Sequence, residues 1–415
     1  MIELISIGAE LLTGQTVNTN ASFIAKSLLA EGYKVARVAT VTDQRDALKK
    51  AILQAMKRSK VLIMTGGLGP TGDDITREVL AEIFEKQLIY DKAVALDLKK
   101  RYGEGLETLE DQATVIEGST ILRNSFGTAP GFILKKEKSI VFVLPGVPHQ
   151  MQEMLRSYVI PHLLQEVPQE YFHHALYLSL ISEQKVDPYL RELEQKYPGV
   201  EIGICPGYGT LSIYLLAYAP SKGKAIEFLK PILSELRAKF KDRIFSETDS
   251  RIEHAIHETF IAKNKTFACA ESCTGGKIAS RLTEISGSSD YFLGSLVTYS
   301  DGLKQSVLQV KRETLEAYGA VSKEVVIEMA EGTLALTGAD FVIAVSGVAG
   351  PTGGTAEKPV GTVWGAIGQK GGAIYAAQFA LKGNRDRLTV INYSATYLLC
   401  HMWRLVKQNI PPFED

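Results

Sequence analysis

The sequence predicts an α/β fold with more than one domain, and three observations support this prediction. The chain has 415 residues, more than the roughly 100–200 residues of an ordinary domain. Hydrophobic residues make up 45% and charged residues 22%, which is the balance of a folded globular protein. Short apolar runs alternate with amphipathic segments near both ends of the chain, an order typical of parallel strands joined by helices.

The N-terminal part has the clearest alternation. We expect strands at residues 2–8, 34–41, 61–65 and 139–144, and helices at 20–31, 47–58 and 76–85. Gly-rich turns follow the last two of these strands, and ligands of parallel sheets collect at strand C-termini. This segment therefore predicts a parallel sheet covered by helices, with a ligand site at one edge.

The rest of the chain divides into two further blocks. Around 161–168 the pattern breaks, and strands near 175–182 and 210–219 with helices near 187–196 and 224–240 indicate a small α+β unit. From residue 251 a second strand and helix series follows, with helices at 252–262, 277–284 and 386–406 and strands at 266–270, 294–298, 341–346, 361–367 and 374–381. The predicted domains are residues 1–168, 169–250 and 251–415.

Charge and cysteine usage exclude several classes of protein. The net charge of −1 gives no overall positive field for nucleic acid or an acidic membrane. No apolar stretch approaches the roughly 20 residues of a membrane span. The four cysteines include no CxxC pair, so we expect reduced thiols, no structural zinc and a cytoplasmic location.

The first Gly-rich turn predicts a phosphate site with a metal ion. Gly67 to Gly72 copies the spacing of a P-loop, but Asp73 and Asp74 stand where that motif has Lys and Ser/Thr. Two carboxylates can hold Mg²⁺, which would bridge them to a pyrophosphate. In the alternative interpretation they only cap the following helix. The expected binding residues at this edge are Gly66, Gly67, Gly69, Thr71, Gly72, Pro145 and Gly146.

Two more Gly-rich turns lie in the C-terminal block, and we expect them to face one nucleotide-binding crevice. Each follows a predicted strand, and the first also precedes a predicted helix. The predicted binding residues are Ser272, Thr274, Gly275 and Gly276 in the first turn and Gly347, Gly350 and Gly353 in the second, which begins at Ser346.

Between these turns lie the candidates for nucleophilic catalysis. Lys304 is the nearest basic residue downstream of Ser289, and Tyr299 is available to relay a proton or to orient the pair. A partly desolvated lysine can activate a serine hydroxyl toward an amide carbon. Cys273 is a rival nucleophile, because a thiol at a helix N-terminus has a lowered pKa; in its alternative interpretation it is a small buried residue of the core. In the alternative interpretation the serine caps a helix and the lysine is solvated.

The whole chain resembles the bacterial CinA (competence/damage-inducible) family. The segments similar to its molybdopterin-binding-type domain are 7–12, 18–20, 65–76, 127–131 and 144–148. Those similar to its C-terminal domain are 270–276, 287–289, 297–304, 319–322, 346–354, 358–362 and 383–385. The resemblance implies a three-layer N-terminal domain, a KH-like α+β middle domain and an α/β C-terminal domain.

The resemblance also implies two activities. The C-terminal domain of the family is a nicotinamide mononucleotide deamidase without a cofactor, and its active-site positions are implied at Ser289 as nucleophile, Tyr299, Lys304, Ser346 and Arg385. Arg385 would bind the 5′-phosphate or a developing anion. The N-terminal domain of the family is an ADP-ribose pyrophosphatase that uses Mg²⁺ or another divalent cation, for which Asp73 and Asp74 are the expected ligands.

The sequence departs from the family pattern at two positions. Gln150 stands where the family has a glutamate, and this loss could weaken metal binding; Asp301 replaces the usual asparagine. The N-terminal domain could therefore bind a nucleotide or pterin without hydrolysing it, and a competence or DNA-repair scaffold is a second alternative. The middle unit has no GXXG loop for clamping RNA. We expect nucleotide substrates, no strong nucleic-acid binding, no membrane association and a homodimer.

Overall fold

The chain divides into two units of unequal length. The computed structural model describes residues 1–136, 138–169, 171–219, 221–381 and 386–414. The first unit contains Met1–His173 with Ala217–Glu227, and the second contains His174–Leu216 with Phe228–Asp415. Residues 169–250 are shared between the two units, so the three-domain boundaries remain a prediction. No helix in these described ranges has the length and apolar character needed to cross a bilayer.

Alternating strands and helices form the first unit, as the sequence predicts. Their order is β1 (Ile2–Ile7), α1 (Ala9–Leu12), α2 (Thr19–Ala30), β2 (Val35–Val41), α3 (Arg45–Arg58), β3 (Val61–Thr65), α4 (Thr76–Phe84), β4 (Leu88–Tyr90), α5 (Lys92–Tyr102), α6 (Leu109–Gln112), β5 (Thr114–Ile116), β6 (Thr120–Leu122), β7 (Gly131–Lys136), β8 (Ser139–Leu144), α7 (Pro148–Met154) and α8 (Ile160–Glu166). A π-helical turn joins α7 to α8.

The main sheet of this unit has the order β2-β1-β3-β8-β7-β6. Strands β2, β1, β3 and β8 are parallel, while β7 and β6 are antiparallel. Successive side chains of a strand point to opposite faces. Ile5 therefore packs with Leu48 and Val79 of α3 and α4, whereas Leu4 packs with Ile24 of α2. The three-layer prediction is confirmed, with an antiparallel edge that the sequence pattern did not predict.

The middle of the chain forms a small α+β arrangement. It contains β9 (Tyr171–Ser179), α9 (Glu183–Lys196), β10 (Val200–Pro206), β11 (Thr210–Tyr218), α10 (Lys222–Lys239) and β12 (Ile244–Ser246). The sheet order is β10-β11-β9-β12. Alternate residues of β11 are buried, as expected of a strand with one covered face. The α+β expectation is met here, while the KH-like assignment remains a prediction.

A second α/β sheet follows, with layers on both faces. Its elements are α11 (Ile252–Lys263), β13 (Phe267–Glu271), α12 (Lys277–Thr283), β14 (Phe292–Val297), α13 (Asp301–Leu308), α14 (Arg312–Tyr318), α15 (Lys323–Thr337), β15 (Phe341–Gly347), β16 (Thr362–Gln369), β17 (Ile374–Ala380) and α16 (Arg387–Gln408). The order is β14-β13-β15-β16-β17, in which the first three strands are parallel. One face packs on α11, α12 and α16, and the other on α13, α14 and α15.

Candidate active site

The C-terminal ends of three parallel strands meet at one edge of the second sheet. Glu271 at the end of β13 is level with Val297 of β14 and with Val345 of β15. The next residues along the chain are therefore neighbours in space, and they include Ser272 and Thr298. Ligands of α/β sheets collect at such edges.

The Ser272 turn is fixed by the side chain of Glu271, which is fully buried. Its Oε2 accepts hydrogen bonds of 3.1 Å from the backbone N–H groups of Gly276 and Ile278, and its Oε1 accepts 3.0 Å from Ala279. Negative charge is favourable at the first turn of a helix, where backbone N–H groups have no helical partner. The carboxylate therefore holds the turn that carries Ser272.

Lys304 lies against this turn and forms the centre of the site. Its side chain is 1% exposed. The Nζ donates to Ser272 Oγ at 3.1 Å and to the backbone oxygens of Thr298 at 3.0 Å and Tyr299 at 3.2 Å. Burial lowers the pKa of Lys304, and the nearby Asp301 carboxylate opposes that effect. A buried lysine with a lowered pKa beside a serine hydroxyl has the composition of a Ser/Lys hydrolase site.

The structure corrects the predicted pairing of Ser289 with Lys304. Ser289 lies in a 3₁₀ turn before β14, and it is exposed. The neighbouring Tyr291 backbone oxygen accepts from Phe267 at the start of β13, whereas Ser272 follows the end of that strand. At about 3.3 Å per residue, on the order of 15 Å of strand separates the two serines. Ser272, predicted to bind substrate, is the serine in contact with Lys304.

Cys273, the rival nucleophile, is buried as its structural alternative predicts. The thiol is 5% exposed, and burial raises its pKa to about 12. The expected effect of the helix N-terminus does not overcome this desolvation. Because the thiolate is the nucleophilic form, Cys273 is not the reactive group of this turn.

Tyr299 contributes to the site in two ways. Its backbone oxygen accepts from Lys304, and its hydroxyl accepts from Arg387 Nη2 at 2.9 Å. Arg387 Nη1 also donates to the backbone oxygen of Gly350 at 2.8 Å. Arg387 was missed in the sequence, although it stands two residues after the predicted Arg385. Arg385 itself lies outside the described residues, so its role remains a prediction.

The second Gly-rich turn lies beside this edge. Ser346 is 1% exposed and belongs to β15. A Cβ at Gly347 would approach the backbone oxygen of Thr362 at 2.9 Å, and one at Gly350 would meet Val360 at 2.5 Å. Packing therefore already requires glycine at Gly347 and Gly350. A Cβ at Gly275 would meet no atom within 4 Å, and one at Gly276 or Gly353 would make only ordinary contacts of 3.6 and 3.9 Å. The contacts of these three glycines with substrate remain predictions.

Three buried threonine hydroxyls belong to the segments that meet here. Within the described ranges, the Oγ1 atoms of Thr274, Thr298 and Thr362 have no hydrogen-bond partner. These residues are 3%, 2% and 1% exposed. A buried hydroxyl without a partner costs about 1–3 kcal/mol. The edge of the sheet therefore offers unused polar groups to a polar ligand.

In the first unit, the two predicted Gly-rich turns are neighbours. Gly66 N donates to the backbone oxygen of Leu144 at 3.1 Å, and a Cβ on Gly146 would lie 3.5 Å from the Gly66 Cα. Gly66 and Gly67 have φ angles of 105° and 68°, which only glycine adopts freely. Pro145 lies in the same loop as Gly146, at the end of β8. The structure thus brings these predicted residues together at one sheet edge.

Asp73 and Asp74 surround the Thr71 hydroxyl, which lies 2.5 Å from one oxygen of each carboxylate. The Thr71 N–H also donates to Asp74 at 3.1 Å. The Thr71 hydroxyl, together with a backbone N–H, lowers the pKa of Asp73. Gly69 and Gly72 lie in the same turn, where a Cβ at Gly69 would meet the Asp74 carboxylate.

The two aspartates fit Mg²⁺ only together with a substrate. Among the described residues, no group of three or more His, Cys, Asp or Glu side chains is placed to hold a metal. Mg²⁺ usually takes one or two carboxylates plus waters and substrate phosphates, and the two aspartates match that composition. Gln150, which stands where the family has a glutamate, has its Oε1 accepting a hydrogen bond of 2.9 Å from Asn124 Nδ2.

Comparisons with known proteins match the N-terminal and C-terminal parts of the chain to two different family models. A family model described as "Probable molybdopterin binding domain" matches residues 3–165, and one described as "CinA C-terminal domain" matches residues 249–406. The chain is similar to a CinA-like protein of Dictyoglomus thermophilum, with 36% identity over 397 residues, 94% of this chain and 96% of that protein. A CinA-like protein of Chloroherpeton thalassium is 38% identical over 377 residues, 88% of this chain and 89% of that protein.

Among solved structures, the chain is similar to the competence damage-inducible protein A of Klebsiella pneumoniae. That match has 38% identity and a TM-score of 0.36, and it covers 38% of this chain and 95% of that one. The full-length relatives settle the family, because their identity exceeds 30% over nearly the whole chain. The chain belongs to the CinA family, with a molybdopterin-binding-type domain at its N-terminus and a CinA C-terminal domain.

Proposed function

We propose that the second unit is an amidohydrolase that converts nicotinamide mononucleotide to nicotinic acid mononucleotide and ammonia. The observation that carries this proposal is the buried contact of 3.1 Å between Lys304 Nζ and Ser272 Oγ. The choice of substrate rests on the family resemblance. Ser272 replaces Ser289 as the proposed nucleophile, because Lys304 contacts Ser272.

The reaction follows from the chemistry of this pair. Ser272 Oγ attacks the carboxamide carbon while its proton passes to neutral Lys304. The Lys304 ammonium gives its proton to the amino group of the tetrahedral intermediate, and the C–N bond breaks with release of ammonia. Water then attacks the ester with Lys304 again as base, which releases the carboxylic acid and restores Ser272.

The turn after Ser272 can stabilise the anion that develops on the substrate oxygen. The backbone N–H groups of Cys273 and Thr274 make no hydrogen bond to a backbone carbonyl within the described ranges. Donors fixed in advance near a nucleophile are the usual way to stabilise such an oxyanion. Glu271 would support this function indirectly by keeping the turn in place.

The test is ammonia release by the purified full-length chain from nicotinamide mononucleotide, with nicotinamide riboside and nicotinamide as comparison substrates. We expect release from the mononucleotide above all, with nicotinic acid mononucleotide as product. Absence of ammonia from all three amides would contradict the proposal. Ammonia from the riboside at equal efficiency would instead contradict the role of the phosphate.

For the first unit we propose a pyrophosphatase acting on ADP-ribose. When bound, Mg²⁺ would supply charge neutralisation on the pyrophosphate, with Asp73 and Asp74 as its protein ligands. The chain's own contribution is to hold both carboxylates close together around Thr71, whose hydroxyl also lowers the pKa of Asp73. The support is this pair of carboxylates and the family resemblance.

Measuring AMP formation from ADP-ribose, with and without divalent metal, distinguishes this proposal from a binding-only domain. A binding domain that holds a nucleotide or pterin yields no AMP under either condition. The scaffold alternative for competence or repair requires tight, salt-sensitive DNA binding. The net charge of −1 does not favour it.

A further inference from the structure

A cavity lined largely by polar side chains lies beside α12 in the second unit. Its volume is 370 Å³, within the range of small-molecule sites. The side chains that matter most for recognition are Tyr208, Arg251, Lys277, Arg281, Glu284 and Asn392. Neither Ser272 nor Lys304 lines this cavity, so it is separate from the proposed amidohydrolase site.

One arginine at the cavity is held in a fixed orientation. Arg281 Nε is hydrogen-bonded to Glu253, and its Nη1 donates to Thr396 Oγ1 at 2.7 Å. The Glu253 side chain is 4% exposed and that of Arg281 is 19% exposed. The charge of Glu253 is therefore neutralised within the protein. In the described part of the chain, Arg281 Nη2 has no hydrogen bond and remains available to a ligand.

The other two cations add positive charge that the protein does not fully neutralise. Lys277 precedes Arg281 by four residues on α12, so both side chains lie on one helix face. No ion pair of Lys277 occurs among the described residues. Arg251 lines the same cavity, Asp249 lies 3.6 Å from its Nε, and its Nη2 is hydrogen-bonded to His254. At this helical spacing the positive charges of Lys277 and Arg281 repel each other, and an anion bound between them would remove that repulsion.

We propose that this cavity binds a nucleoside monophosphate. A guanidinium fork and a lysine amine are the usual partners of a phosphate group. Tyr208, which is 48% exposed, offers an aromatic ring against which a base can stack. Glu284 is exposed at the other end of α12, and a carboxylate accepts hydrogen bonds from ribose hydroxyls. This combination fits a nucleotide better than free phosphate.

The cavity is connected to the catalytic turn through the backbone. Lys277 N donates to the backbone oxygen of Thr274 at 3.0 Å, and Thr274 is two residues from Ser272. A ligand that holds Lys277 therefore contacts the start of the helix that the turn enters. Binding itself does not depend on the proposed amide hydrolysis.

The experiment places a fluorescent reporter in the cavity of the full-length protein through Tyr208→Trp. AMP should give a saturable change in emission relative to the unsubstituted chain, inorganic phosphate should bind more weakly, and adenosine should give little change. Lys277→Gln in the reporter background should weaken AMP binding roughly tenfold or more, because one charged partner is lost. Lys323→Gln, an exposed lysine outside the cavity, is the matched control.

The proposal is overturned if AMP gives no saturable change, or if Lys277→Gln and Arg251→Gln bind AMP as tightly as the control. Equal binding of adenosine and AMP would overturn the role of the phosphate. Ser272→Ala should leave this signal unchanged, which separates failure at the cavity from failure of the amidohydrolase proposal. If Tyr208→Trp does not fold, the rise in melting temperature with AMP is compared between Lys277→Gln and Lys323→Gln.

Discussion

The two candidate sites occupy the same kind of sheet edge but treat charge in opposite ways. Asp73 in the first unit is exposed, and hydrogen bonds lower its pKa, so the carboxylate stays ionised. Lys304 in the second unit is 1% exposed, and burial lowers its pKa, which favours the neutral amine. An ionised exposed carboxylate suits a metal ion, whereas a neutral buried amine suits a base. Similar sheet edges can thus support different chemistry.

The largest expected effect is the loss of the base. Lys304→Met keeps an unbranched apolar stem but removes the amine, so we expect ammonia release to fall roughly 1,000-fold. AMP formation from ADP-ribose should not change, because Lys304 lies in the second unit. Lys323→Met is the matched control. Retention of more than about a tenth of the ammonia release would show that Lys304 is not the base.

The corresponding change in the first unit is Asp73→Asn. It removes a carboxylate but keeps the shape of the side chain, and we expect AMP formation to fall at least roughly tenfold. Higher Mg²⁺ should recover part of the loss, because the variant binds the ion more weakly. The readout is AMP formed against Mg²⁺ concentration. An unchanged metal dependence would refute the assignment of Asp73 as a ligand.

A smaller effect is expected where substrate satisfies a buried hydroxyl. Thr298→Val is close in shape and removes an Oγ1 that has no partner among the described residues. We expect KM for the amide to rise roughly five- to tenfold while the melting temperature does not fall. Thr333→Val is the contrasting control, because Thr333 Oγ1 already donates to the backbone oxygen of Met329 at 2.7 Å. That variant should lose stability and keep its KM.

The smallest effect concerns pH. Because Lys304 must be neutral to act as base, ammonia release should rise with pH and level off below the ordinary lysine pKa. Asp301 Oδ1 lies 3.9 Å from Nζ and favours the ammonium, so Asp301→Asn should move the rise to lower pH. The free energy of unfolding should also increase as the pH rises from the pKa of Lys304 in the folded state to its higher pKa in the unfolded state. A profile that Asp301→Asn leaves unchanged would contradict this coupling.

The central strands of both main sheets could be predicted, because a strand covered by helices on both faces reads in the sequence as a continuous apolar run. Strand β3, Val61–Thr65, is buried throughout and was predicted with its observed ends. Strand β10 was missed, because its residues alternate between half-buried and exposed and include a glycine. The antiparallel direction of β16 and β17 depends on long-range pairing, which no local pattern encodes.

The structure brings two of the predicted site residues together, but not in the predicted pair. The sequence pointed to Lys304 and both Gly-rich turns, and the family resemblance placed the nucleophile at Ser289. The parallel register, with Glu271 level with Val297, instead brings Ser272 to Lys304 across 32 residues. A strand that enters a helix through a tight turn was the signal available for Ser272. Matching this chain to the family pattern by sequence alone did not show which serine the strand register brings to Lys304.

The central claim is that Lys304 activates Ser272. The most direct test compares ammonia release from nicotinamide mononucleotide by Ser272→Ala and Ser289→Ala, with AMP formation from ADP-ribose as the measure of intact protein. We expect Ser272→Ala to lose release by roughly 1,000-fold or more and exposed Ser289→Ala to stay close to the unsubstituted chain. Full activity in Ser272→Ala, or its loss in Ser289→Ala alone, would contradict the account.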